Sequence, residues 1–237
     1  MSYHNYYSYK KKAKPKDPVA QIQKLRKKNP DIQPVIIEGR KLARSWWAIS
    51  WNKNLEGYAD YSNRISRGRS YVIGGAVLDL AISPGVVSAL VQGSRAAPYK
   101  ITVQIDPLSK NNWDVITQKC SRRLANIEEL VSGQFPLELM ELFTERGMGL
   151  FPTPKEIHFS CSCPDWASMC KHVAAVLYGI GARFDQEPTL FFVLRDIDVS
   201  ELIKKSVDEK MTNLLKNADS VTDRTITGIN TYDLFGV

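Results

Sequence analysis

The sequence predicts an α+β protein: an N-terminal tryptophan-rich helix and a small antiparallel sheet, a helical segment, then a ββα-like metal-binding unit and C-terminal helices. Three observations predict it. Two apolar runs that read as strands meet at Pro84-Gly85, a turn dipeptide that makes a hairpin of them. Before and after these strands, apolar residues recur three and four apart, the helical period. Finally, Cys161, Cys163, Cys170 and His172 fall within twelve residues, where a strand pattern gives way to a helix pattern.

Residues 1–38 read as a basic, largely flexible segment. Its first part is tyrosines, a lysine run and Pro15 with no apolar period. Within it, 17–30 predicts a short basic helix, with Asp17 as cap and Pro18 as first helical residue. Residues 39–150 read as an α+β domain. It opens on a helix over 39–60, on which Leu42, Trp46, Trp47, Ile49, Trp51, Leu55 and Tyr58 include pairs three and four apart. A tryptophan stripe of this kind is core. "SNRISRGRS" then reads as a basic loop, followed by strands over 71–83, 86–93 and 99–105. In the third, Tyr99, Ile101, Val103 and Ile105 alternate with polar residues, so one face is buried. From about 109 the pattern is helical, with Trp113, Ile116, Cys120, Leu124, Ile127 and Val131 on one stripe. Cys120 reads there as a small core residue. A further helix begins at Pro136 with Leu139, Met140 and Phe143 on one side. Residues 151–218 make the metal-binding subdomain with following helices. Residues 219–237 make a tail that reads as packing on its own domain.

The metal-binding reading follows from side-chain direction. Residues 156–163, "EIHFSCSC", alternate like a strand, in which side chains two apart face the same way. Cys161 and Cys163 therefore point to one side, and His158, a rival ligand, points to the other. Cys170 and His172 precede a helix with the stripe Val173, Val176, Leu177 and Ile180. They converge if Cys170 lies in the turn and His172 in the first helical turn. Three thiolates and one imidazole suit Zn2+. Four protein ligands leave no position for an activated water, so the site reads as structural and the chain as no zinc hydrolase. A disulfide between such close cysteines is strained, and a redox pair wants two intervening residues.

The 237 residues carry a net charge of +7, unevenly spread. Residues 1–69 hold 16 Lys and Arg against 5 Asp and Glu, whereas the remainder holds 16 against 20. Such asymmetry points to an acidic partner for the N-terminal part, nucleic acid first and a membrane surface second; of the nucleic acids, DNA is expected before RNA. The candidate contacts are Lys10, Lys11, Lys12, Arg64, Arg67, Arg69 and Arg95. Gly68 between the arginines would let backbone approach a phosphate, and Tyr3, Tyr6, Tyr7 and Tyr9 could stack on unpaired bases. The alternative reading is a protein-interaction module whose basic tail grips an acidic partner. No apolar run approaches the ~18 residues of a membrane span, and the N-terminus has no apolar signal region, so a cytoplasmic chain is expected. There is no phosphate-binding loop and no hydrolase motif, so no enzyme activity is expected.

The pattern Cys161-x-Cys163, a gap, then Cys170-x-His172 resembles the SWIM zinc finger, and Trp166 suits the usual shape of the gap. The segments "ARSWWAISWNKNLEGYADYSNRISRGRSYV", "VLDLAISPGVVSALVQGSRAAPYKITVQI" and "FSCSCPDWASMCKHVAAVLYGIGARFDQEPTLFFVLR" extend the resemblance, to a bacterial SWIM zinc-finger protein family, over most of residues 40–195. What the resemblance implies is a non-enzymatic accessory protein that binds DNA or proteins and works with a Swi/Snf-type helicase-like ATPase.

Overall fold

Pro84-Gly85 does make a tight turn. Gly85 takes φ +67°, a left-handed conformation that a side chain disfavours, and Ser83 pairs with Val86 across it. The hairpin of β1 (Val77–Ser83) and β2 (Val86–Val91) continues into β3 (Tyr99–Ile105) and β4 (Ile157–Cys161). The four strands form one antiparallel sheet in the order β1-β2-β3-β4. The structure, a computed structural model, describes residues 17–57, 62–121, 137, 140–167 and 169–216, with 62, 63, 120 and 121 by backbone alone. The expectations for Lys10, Lys11, Lys12, the N-terminal tyrosines, the Cys120 side chain and the tail lie outside the described residues.

Alternation on β3 buries Tyr99, Ile101, Val103 and Ile105 on one face. Against that face lies the helix that follows the metal ligands. In chain order the described helices are α1 (Pro18–Arg26), α2 (Trp46–Glu56), α3 (Ser62–Ile73), α4 (Lys110–Ser121), α5 (Met140–Thr144), α6 (Lys171–Gln186), α7 (Leu190–Leu194) and α8 (Val199–Lys216). The central helix is α6, with Val173 to Ala175, Val176, Leu177, Ile180 and Phe184 all buried. It contacts all four strands and packs on α2 and α3. β3, β4 and α6 together are the ββα-like unit. α4 packs on α8 to one side. The outer edge of β1 is closed by an extended segment, in which Val35 N donates to the Val77 carbonyl and Leu80 N to that of Gln33.

Trp51 and Leu55 are core, as the stripe predicts, with Trp46 and Trp47 half-buried against it, but Ile49 of the same stripe is exposed and the helix starts at Trp46, not at 39. Ser45 caps it, its hydroxyl accepting from Ala48 N. The Asp185 carboxylate on α6 accepts from Arg44 N at 2.7 Å and from Ser45 N at 2.9 Å. These bonds satisfy amides where the chain enters the helix. Trp51 is wholly buried, and its indole donates to the Leu177 carbonyl at 3.0 Å. Trp47 does the same to Phe184 at 2.9 Å.

The larger correction concerns "SNRISRGRS". It is not a basic loop but α3, and the helix runs on through Tyr71 and Val72 to Ile73. The first strand therefore begins only at Val77, after a turn at Gly75 (φ +70°). The second strand ends at Val91, not 93. Gly68, with its neighbouring charges, imitates a loop signal. Its purpose is packing: a Cβ on Gly68 would lie 2.4 Å from Ala174 Cβ and 2.8 Å from the Ala174 carbonyl carbon. The glycine lets α3 lie backbone-to-backbone against α6, and it is buried rather than offered to a phosphate. Gly68→Ala is expected to destabilise the protein by about 1–3 kcal/mol through overpacking, outweighing the ~1 kcal/mol that alanine gains in a helix. A lowered urea midpoint at unchanged slope would show this. A raised midpoint would mean that the two helices are free to move apart.

At the far end of β4, buried Arg195 donates to the Asp106 carbonyl at 2.9 Å and to Glu156 at 3.0 Å. Burial alone would raise the Glu156 pKa. Hydrogen bonds from Thr153 and Arg195 outweigh it and hold the carboxyl below its ordinary value. This pair ties the end of β3 to the start of β4, opposite the end that carries the cysteines.

Candidate metal centre

β4 delivers Cys161 at its last residue, in register with Ile101 of β3. Ser162 keeps the chain against β3, donating its amide to the Lys100 carbonyl and accepting the Lys100 amide on its hydroxyl. Cys163 follows in a bend. Cys170 is the N-cap of α6 and His172 lies in its first turn, as convergence of the two pairs requires. The ligand atoms of Cys161, Cys163, Cys170 and His172 all lie within 4.8 Å of one another. Cys170 and His172 are buried, and Cys161 and Cys163 half-buried. The sequence-predicted set is thus brought together.

Whether these residues fit a metal can be judged from the donors. Cys170 Sγ lies 3.7 Å from His172 Nδ1. Two ligand atoms on one tetrahedral zinc sit about 3.5 Å apart, given Zn–S of about 2.3 Å and Zn–N of about 2.0 Å. Nδ1 therefore faces the cluster. Nε2 points away, buried near the Tyr71 and Tyr99 rings, whose centroids lie 5.3 and 4.6 Å from that of His172. No hydrogen-bond partner meets Nε2 among the described residues. A hydrogen bond between Cys161 and Cys170, with burial, pushes the Cys161 thiol up. The same bond pulls the Cys170 thiol down, against burial and with help from His172. Three thiols and an imidazole converging in this way are suited to chelate a metal, which displaces their protons.

His158 is not a ligand. It lies on the exposed face of β4, with Nε2 3.2 Å from Asp106 Oδ1. The turn between the ligand pairs is anchored by Asp165. Its carboxylate takes both guanidinium nitrogens of Arg64, at 2.8 and 3.3 Å, and also accepts from Ala167 N. Sequence reasoning missed this pairing, because the partners are 101 positions apart.

The four described candidate arginines do not form one surface. Arg64 is spent on Asp165. Arg69 lies toward Tyr178 on the other side of α3 and acts on its phenol electrostatically; that phenol donates to Glu56 at 2.7 Å. Burial raises the Tyr71 pKa above its ordinary value, and Arg67 nearby opposes the rise only in part. Arg95 sits 6.0 Å over the Tyr99 ring. Lys171, which was not a candidate, places Nζ 5.7 Å over Tyr71. Tyr71 and Tyr99 both flank His172, so Arg67, Arg95 and Lys171 gather around the metal cluster. None has a carboxylate within ion-pair distance among the described residues.

The chain is 36% identical over 163 residues to "Uncharacterized protein Rv2102" of Mycobacterium tuberculosis (strain ATCC 25618 / H37Rv). The match covers 68% of this chain but 58% of the relative, so the chain spans little more than half the length of the protein it resembles. No protein-family model and no solved structure matches the chain. The SWIM-like spacing is therefore carried by the cluster itself. No helix of the described residues is long and apolar enough to cross a membrane.

Proposed function

We propose that the chain is a zinc-stabilised, nucleic-acid-binding accessory protein that acts with a Swi/Snf-type helicase-like ATPase on DNA in the cytoplasm, and that it is not itself an enzyme. The observation that carries this reading is the Cys3His cluster, with Arg67, Arg95 and Lys171 around it, none of which meets a carboxylate at ion-pair distance among the described residues. Four protein donors complete a tetrahedral zinc, leaving it no place to activate a substrate. Its role is then to hold β4, the Asp165 turn and α6 in one geometry. Three thiolates and Zn2+ leave one net negative charge, which Lys171 beside the ligands offsets. Arg67 and Arg95 remain for phosphates. The ATPase partner rests on the resemblance to SWIM proteins. It is consistent with a sequence that lacks a phosphate-binding loop and so would need another chain to supply ATP hydrolysis.

The test is the salt dependence of binding to DNA of random sequence. The intact chain should show a log–log slope of several units, and Arg67→Ala and Arg95→Ala should each reduce it by roughly 0.7–0.9. A slope near zero would favour the protein-interaction module instead. With a Swi/Snf-type ATPase from the same cell, the chain should change the DNA-stimulated hydrolysis rate while hydrolysing no ATP alone.

A further inference from the structure

Trp166 is the most exposed large apolar side chain among the described residues, at 94%. It adds nothing to the core and has no ring partner there. Yet its backbone is firmly held. The turn is bracketed by the two ligand pairs and pinned beside Trp166 by Asp165, which takes Arg64 with two bonds and Ala167 N with a third. A tryptophan displayed in this way contributes to binding at low entropic cost, because its backbone is tied on either side by Asp165 and Ala167. Through Asp165 and Arg64 the turn adjoins further cations. Arg67 lies one helical turn from Arg64, on the same face of α3, and Lys171 and Arg95 follow at the Tyr71 and Tyr99 rings that flank His172. The Asp165 carboxylate is neutralised by its arginine.

We propose that this face is a binding site for single-stranded nucleic acid, with an unpaired base stacked on Trp166 and the neighbouring phosphates on Arg67 and Arg95. This deepens the nucleic-acid reading above and rests on it. An exposed indole with cations alongside matches a strand whose bases show their flat faces. In a duplex those faces are buried against one another, and the phosphates alone would use the cations but leave the tryptophan idle. An acidic peptide supplies charge without a ring to stack.

The experiment titrates the full chain, metal-loaded, against oligothymidylate, duplex DNA of equal length, and polyglutamate. Trp166→Ala should weaken oligothymidylate binding by about 5- to 150-fold, leave duplex binding unchanged, and retain metal content and melting temperature, since the side chain lies in solvent. Trp166→Phe should recover most of the loss. Arg67→Ala should lower the single-strand salt slope by about 0.7. If the intact chain binds duplex with a steep salt slope and Trp166→Ala changes neither ligand, the nucleic-acid reading stands and this site is wrong. An equal loss for both DNA forms would also overturn it. Preferential polyglutamate binding that depends on Trp166 would assign the face to an acidic protein. No salt-dependent binding to any DNA would overturn both readings.

Discussion

Cys170→Ser and His172→Ala are each expected to abolish metal binding and to unfold far more than the metal turn. Structural zinc supplies on the order of 10 kcal/mol of folding free energy in finger peptides, comparable with the roughly 5–15 kcal/mol that holds a whole domain together. The site is not peripheral here. Cys170 caps α6, and α6 packs on the sheet, α2 and α3. Loss of the metal would leave the helix start without its anchor and β4 without its tie to the helix. Excess chelator should act like the substitutions. Metal content per chain, measured by elemental mass spectrometry, and the thermal transition are the readouts. His158→Ala should keep both, because His158 faces solvent beside Asp106. Retention of metal by His172→Ala together with its loss by His158→Ala would reverse the ligand assignment.

Trp51→Ala is expected to cost about 3–5 kcal/mol, the range for removing a large aromatic side chain from a packed core. Trp51 has no exposed surface. Its ring lies edge-on to Phe151 and Phe184, with centroids at 5.9 and 5.2 Å, and its indole N–H binds the Leu177 carbonyl. Trp51→Phe should cost less, losing the hydrogen bond, about 1 kcal/mol, and part of the volume. The midpoint of chemical unfolding measures both, provided that the slope is unchanged. If Trp51→Ala costs under about 1 kcal/mol, the value expected of a surface site, the tryptophan helix does not pack on α6 as described.

These two expectations differ in how far the sequence alone foretold them. The core role of Trp51 follows from the helical period, whereas the start of that helix at Ser45 was not foretold. The hydrogen bond to α6 does not follow, because the donor and the acceptor are 126 positions apart.

The sequence by itself determined what depends on near neighbours. Pro84-Gly85 dictates a hairpin because only a left-handed residue closes that turn. Cys170 and His172 converge as a turn and a helix start require and Cys161 ends β4, but Cys163, which alternation placed on the strand, lies in the bend after it. β3 shows its buried face by alternation alone. Tertiary structure decided the rest. Gly68 and three arginines look like a loop in isolation, and it is contact with Ala174 that makes them a close-packed helix. The pairing of β4 with β3 joins Ile101 to Cys161 across an intervening helical segment, and no local pattern announces a partner that distant. The arginines were legible as charge but not as individuals. Arg64 is neutralised by Asp165, Arg69 turns toward Tyr178, and Arg67 and Arg95 are left beside the metal cluster. Charge belongs to a residue type and can be counted from the chain, whereas its availability depends on which groups folding brings within a few ångströms.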